Sequence, residues 1–139
     1  MYKVMAMLTI VVLFTACQNS KNEENVHIKR VIVKKEFSKF FYECERERSE
    51  TTAGMSSCFE EELKEQDKRL NVEYQKAKAS IQPFRIDSLK SVQKKWIVYR
   101  DSKCDFFFHK ESGSSGSLDR QECLIKETIS RTKELKEIF

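Results

Sequence analysis

Five cysteines carry most of the chemistry open to this chain, and they divide into one and four. Cys44, Cys58, Cys104 and Cys123 form an even set in its charged part, the pattern of a disulfide framework in an oxidising compartment. Cys17 stands alone behind Thr15-Ala16, at the end of an apolar run, where a thiol serves as a site of acylation. The competing use of the four is a metal site. No Cys-x-x-Cys occurs, and His27 and His109 have no ligand spacing, so metal is disfavoured. Catalysis has less support still. No nucleophile–base pair is evident, and the acid runs have solvated helical spacing, not the isolated carboxylate in an apolar setting that general acid chemistry favours. The expectation is a protein that is not an enzyme and holds no metal or cofactor.

The residues around Cys17 say where such chemistry would take place. Met1-Tyr2-Lys3 is a short positive start, and Val4 to Phe14 is an uncharged apolar stretch. About a dozen apolar residues are too few to cross a bilayer core, which takes about 20, but they suit a signal peptide. Leu13-Phe14-Thr15-Ala16-Cys17 resembles a bacterial lipobox, with Phe14 where leucine is usual. The alternative is an ordinary secretory signal cleaved near Ala16, leaving a free thiol. The reading adopted is a signal peptide over 1–16, an acylated Cys17, and a polar tether over 17–25. This places the protein in a bacterial cell envelope, anchored by lipid. In a Gram-negative cell Gln18, in place of Asp, directs it to the outer membrane facing the periplasm.

Charge narrows the partners only slightly. Residues 17–139 carry net +3, a balance that argues for neither nucleic acid nor a membrane surface. The distribution is uneven, with nine acids and three bases over 43–67 against ten acids and 16 bases over 68–139. An acidic edge could steer toward a cationic partner; a solvated helix face is the plainer account.

Three elements must position the cysteines. Phe59, Leu63, Leu70, Tyr74, Ala77 and Ile81 trace one stripe of a helix, capped by Thr51 or Thr52 and ended by Pro83. Ile86, Leu89, Val92, Trp96 and Tyr99, with Phe106 and Phe107 near the end, trace a second. Gly113-Ser114-Ser115-Gly116-Ser117 reads as a loop, and Leu124, Thr128, Arg131, Leu135 and Ile138 trace a third stripe. The segment 26–43 reads as a short N-terminal helix or an extended stretch, and 44–139 as the helical domain. Short connections between amphipathic helices predict an all-α, up-down-up three-helix bundle. Its geometry gathers the four cysteines at one end. The pairs expected are Cys44 with Cys58 and Cys104 with Cys123, each adding roughly 3 kcal/mol.

Several polar residues fall where helical spacing places core. Asp67, Asn71, Gln93, Arg100 and Arg131 are expected to converge in a buried network, with Asp67 paired to Arg100 or Arg131.

At this point a resemblance is visible. Thr51, Met55 and Cys58, then Asp67-x-x-Leu70-Asn71-x-x-Tyr74, then Gln93-x-x-Trp96-x-x-x-Arg100-x-x-x-Cys104, then Gly113-Ser114, Cys123, Thr128, Arg131 and Leu135, resemble the LprI-type lysozyme inhibitor domain. The match covers about residues 44–137. Two departures stand out. Thr52 and Gly54 replace the Gln and Glu of the family's helix start, which removes a reciprocal cap, and a double glycine has become Gly113-Ser114. The resemblance implies an exported, often lipidated, cysteine-paired helical protein whose activity is inhibition of lysozyme. The expected partner is therefore a protein, a lysozyme-type muramidase, with the membrane reached through the lipid and no nucleic acid involved. A periplasmic immunity protein neutralising a delivered toxin, or a structural envelope lipoprotein, are the alternatives. Glycosidase clefts carry paired carboxylates. Lys110, Ser112, Ser114, Ser115 and Ser117, braced by a Cys104–Cys123 bridge, are the candidate contacts with such a cleft, against the plainer reading of this loop as a flexible connector. The acidic 43–67 region is the alternative contact.

Overall fold

The computed structural model describes residues 36–138, and the fold below is that of the unit beginning at Ser38. The expected signal peptide, Cys17, the tether and residues 26–35 lie outside the described residues. Four helices follow in order: α1 (Lys39–Arg48), α2 (Thr52–Ser80), α3 (Ile86–Asp105) and α4 (Gly113–Ile138). Short 3-10 turns at Pro83–Arg85 and Lys110–Ser112 lead into α3 and α4. Among the described residues there is no β-strand, so this part of the chain is helical, with two disulfides, as expected.

Local chemistry accounts for the boundaries. Ser38 caps α1 by accepting from the Phe41 N–H, and Thr51 caps α2 by accepting from the Gly54 N–H at 3.0 Å. Pro83 opens the turn after α2, where its fixed φ and missing N–H are harmless. Gly54 explains the altered helix start. A Cβ there would lie 2.1 Å from the Arg48 carbonyl oxygen, so glycine lets the end of α1 press against the first turn of α2. Close helix approach has replaced the reciprocal cap.

α2 and α4 form the main pair, α1 packs on α2, and α3 leans on α4. Gln121 reaches Ser56 near the helix starts, while Leu135 meets Leu70 and Ala77 further on, so α2 and α4 run the same way. α3 runs against them, with Leu89 beside Leu135 and Lys103 bonded to Glu127. The core holds Leu70, Ala77, Leu89 and Leu135, with Tyr74, Ile81 and Trp96 packed on it. Leu124, Ile125 and Ile129 are buried on α4, and Phe41 stacks on Phe59 between α1 and α2. Each such side chain contributes about 1.5–3 kcal/mol on burial.

Two sequence expectations are corrected. Gly113–Ser117 is not a loop but the opening of α4. Ser and Gly are common at helix starts as well as in loops, so composition could not separate the two. Ser115 donates to the Ser112 carbonyl, and Gly116 sits so close to the Phe107 carbonyl and Ser112 that no Cβ would fit. The second stripe is mostly uncovered. Leu89 is buried and Ile86 and Trp96 are half-buried, but Val92, Tyr99, Phe106 and Phe107 are exposed. Only α4 approaches the α3 backbone closely, so a narrow arc of this helix is covered. α1 straddles positions 43 and 44 and carries Cys44.

Candidate functional site

Three arrangements hold the residues with chemistry. The first is the tip between α3 and α4. The Cys104–Cys123 bridge closes a 19-residue separation, and Arg120 adds an ion pair to Asp105 at 2.6 Å beside it. Within the closed segment Phe106, Phe107 and Phe108 are all exposed, Phe106 by 84%. The Phe107 N–H donates to Cys104 and the Phe108 N–H to Asp105, so the turn is bonded as well as bridged. His109 Nδ1 accepts from the Glu111 N–H and begins the turn that contains Lys110. Ser112, Ser114 and Ser115 are exposed nearby, while Ser117 is half-buried. The expected serine contacts are therefore a rigid helix start. Phe106 and Phe107 read as the end of the second stripe in the sequence, and Phe108 carries no signal of its own there.

The second is the polar network around Trp96. Arg100 is mostly buried and reaches Asp67 at 3.4 Å, Thr128 at 3.3 Å and Asp101 at 2.9 Å. Arg131 donates to Gln93 at 3.1 Å and pairs with Glu134 at 2.8 Å. Both guanidiniums lie against the Trp96 ring, at 5.2 and 6.0 Å. The structure thus brings Asp67 to Arg100 and Gln93 to Arg131 as two adjoining clusters. Asn71 is a correction: it is exposed and takes no part in either cluster. Burial raises the Asp67 pKa above the usual carboxylate value, against the pull of Arg100. The network is a structural clasp.

The third was not foreseen. Glu62 is fully buried and accepts from the Ser38 N–H at 2.9 Å, the Ser38 hydroxyl and the Gln66 amide at 2.7 Å. The carboxylate sits at the α1 N-terminus, where the helix dipole favours negative charge. One signal was available in the sequence. Cys58, Glu62 and Gln66 are four residues apart, so they share the face that the disulfide turns toward Cys44.

Within the acidic run 43–67, Glu43, Glu47, Glu50 and Glu60 are exposed, and the other acids are partly engaged. Glu62 is internal, Arg48 pairs with Glu61, and Lys68 and Arg69 reach back to Glu65. No three His, Cys, Asp or Glu side chains among the described residues come together to hold a metal. Among the same residues no helix is long and apolar enough to cross a membrane.

These features define a small helical domain stapled by two disulfides. The family model described as "Lysozyme inhibitor LprI" matches residues 44–135, and the chain belongs to that family. The match spans both bridges, Trp96 and both arginines. Among curated proteins, the uncharacterized protein R02472 of Rhizobium meliloti (strain 1021) is 29% identical over 99 residues, covering 61% of this chain and 71% of the relative. No solved structure matches.

Proposed function

We propose that this protein is an envelope lipoprotein, held to a membrane through acylated Cys17, that binds and inhibits a lysozyme-type muramidase with the tip between α3 and α4. Family membership supplies the activity. The observation that carries the choice of surface is the bridged tip, where Phe107 and Phe108 stand in solvent on a turn fixed by Cys104–Cys123. A turn ordered before binding loses little entropy on entering a cleft, and exposed aromatic rings are the side chains most often dominant at such contacts.

Lys110 belongs to the same turn, and Ser112, Ser114 and Ser115 supply hydroxyls beside it for a cleft lined by carboxylates. The test is lysis of a peptidoglycan suspension by several lysozyme types, with and without the lipid-free protein. Inhibition that falls about tenfold or more in Phe107→Ser/Phe108→Ser, with helicity unchanged, supports the tip. No inhibition of any lysozyme overturns the function, and inhibition untouched by the variant overturns the surface.

A further inference from the structure

α3 has an outward face that neither the core nor the tip accounts for. At 3.6 residues per turn Ser88, Val92, Lys95, Tyr99, Lys103 and Phe106 fall within an arc of about 80°, over a helix about 30 Å long. Val92, Tyr99 and Phe106 are exposed there, and Phe84 extends the line at the other end with 78% exposure. The charges on this face have one sign. Lys95 and Lys103 lie on it, and Arg85 sits beside Phe84, its guanidinium 5.8 Å from the ring. Lys103 lies 5.7 Å from the Tyr99 ring. The acids of the helix, Asp87, Asp101 and Asp105, are centred about 140° round it. From α4, Glu127 pairs with Lys103, while Glu134 and Asp105 are taken up by Arg131 and Arg120. Lys94 and Lys95 are exposed, and among the described residues no ion pair engages either.

At the N-terminal end of the face, a groove of about 490 Å³ opens between α3 and α4, lined by Ile81, Phe84, Leu89, Val92 and Leu135, with Arg85 and Arg131 also on its wall. An apolar slot edged by guanidinium suits an amphiphile with an acyl chain and an anionic head.

We propose that the outward face of α3, with this groove, is a seat for an anionic phospholipid surface. A second copy of the chain is a poor occupant. Lys95 is at the middle of the helix, and a twofold pairing of α3 faces would set it against itself. The face is the convex side of one helix with rings at both ends, and bases lie between them. Rings at the two ends can enter the headgroup boundary while the bases between them meet phosphate. This arrangement differs from the central cluster of a protein contact. The inference stands apart from muramidase binding and needs no acylation of Cys17.

The full-length chain is mixed with phosphatidylcholine vesicles and, separately, with vesicles that also contain phosphatidylglycerol. Lysines are then labelled with an amine-reactive reagent and mapped by mass. Arg85 and Lys95 at an anionic surface, with Lys103 shared between phosphate and Glu127, correspond to a preference of about thirtyfold over a neutral one. Lys95 and Lys103 should therefore label at least about fivefold more slowly in the anionic vesicles, and high salt should abolish the difference. Lys39 and Lys68, on α1 and α2, should label equally in both. The exposed-site variant Tyr99→Ser/Phe106→Ser should restore fast labelling of Lys95. Equal labelling of Lys95 in the two vesicles overturns the proposal. So does protection that Lys39 and Lys68 share, or protection by an added acidic polypeptide but not by anionic lipid.

Discussion

α1 and α3 are each tied to the α2–α4 pair by one disulfide, yet they are held in different ways. α1 is half as long and is locked by packing as well as by its bridge: Phe41 stacks on Phe59, and Ser38 wraps the buried Glu62. α3 has twenty residues, of which only Leu89 and Cys104 are buried. Its middle is held by Arg100, which reaches Asp67 on α2 and Thr128 on α4, and by Arg131 of α4 against Trp96, and its far end by the bridge. The Cys44–Cys58 bridge reinforces an interface that exists already, whereas the Cys104–Cys123 bridge stands in for one. A helix held by few contacts can keep most of its surface for other partners.

The contrast can be broken most directly at Glu62. Replacing it by Ala strands the Ser38 N–H, the Ser38 hydroxyl and the Gln66 amide, and should cost about 4 kcal/mol in urea unfolding. The loss should come with detachment of α1, read as faster amide exchange over 39–48. If Glu62→Ala unfolds at the wild-type midpoint, α1 is not locked in this way.

Next come the bridges. Each double Cys→Ser variant should lose about 3 kcal/mol by the loop-closure argument. The distribution of that loss should differ. Removing Cys104–Cys123 should raise exchange through the tip and the last turns of α3 and weaken muramidase inhibition, while removing Cys44–Cys58 should leave inhibition nearly intact. Equal effects on inhibition would erase the distinction.

A smaller effect tests the clasp in the middle of α3. Trp96→Phe keeps a ring but weakens two cation–π contacts, and should cost about 1 kcal/mol. The smallest concerns Asp67. Its pKa is raised in the folded protein, so the native state binds that proton more tightly than the unfolded chain does. The group therefore adds stability as pH falls through its raised value toward the ordinary 3.8, and withdraws it as pH rises. Asp67→Asn should melt no lower than wild type at neutral pH, and the two should converge in acid. A lower melting temperature for the variant at neutral pH would show that the Arg100 ion pair outweighs burial.

Sequence spacing revealed much of this. The stripes on α2 and α4, the Thr51 cap, the break at Pro83 and the two cysteine pairs follow from periodicity and short-range chemistry, which act within a few residues. Spacing says which side of a helix is apolar, but not whether anything covers it. For that reason Val92, Tyr99 and Phe106 read as core and lie in solvent. Glu62 is the reverse case, a charged residue within an acidic run whose burial depends on where α1 docks. Gly113–Ser117 was misread because a helix start and a loop draw on the same residues. Of the tip phenylalanines that carry the proposed contact, Phe107 reads as part of the second stripe, and nothing in the spacing marks Phe108.

The two bridges join consecutive cysteines, 14 and 19 residues apart, and do not interleave. Short loops close at the lowest entropic cost. With Cys17 taken by acylation, as proposed above, an oxidase meeting this chain from its N-terminus and joining the remaining thiols in the order they appear would make the native pairs the first time. Neither bridge has to wait for the other or be undone by it. Maturation should therefore need an oxidant but no disulfide isomerase.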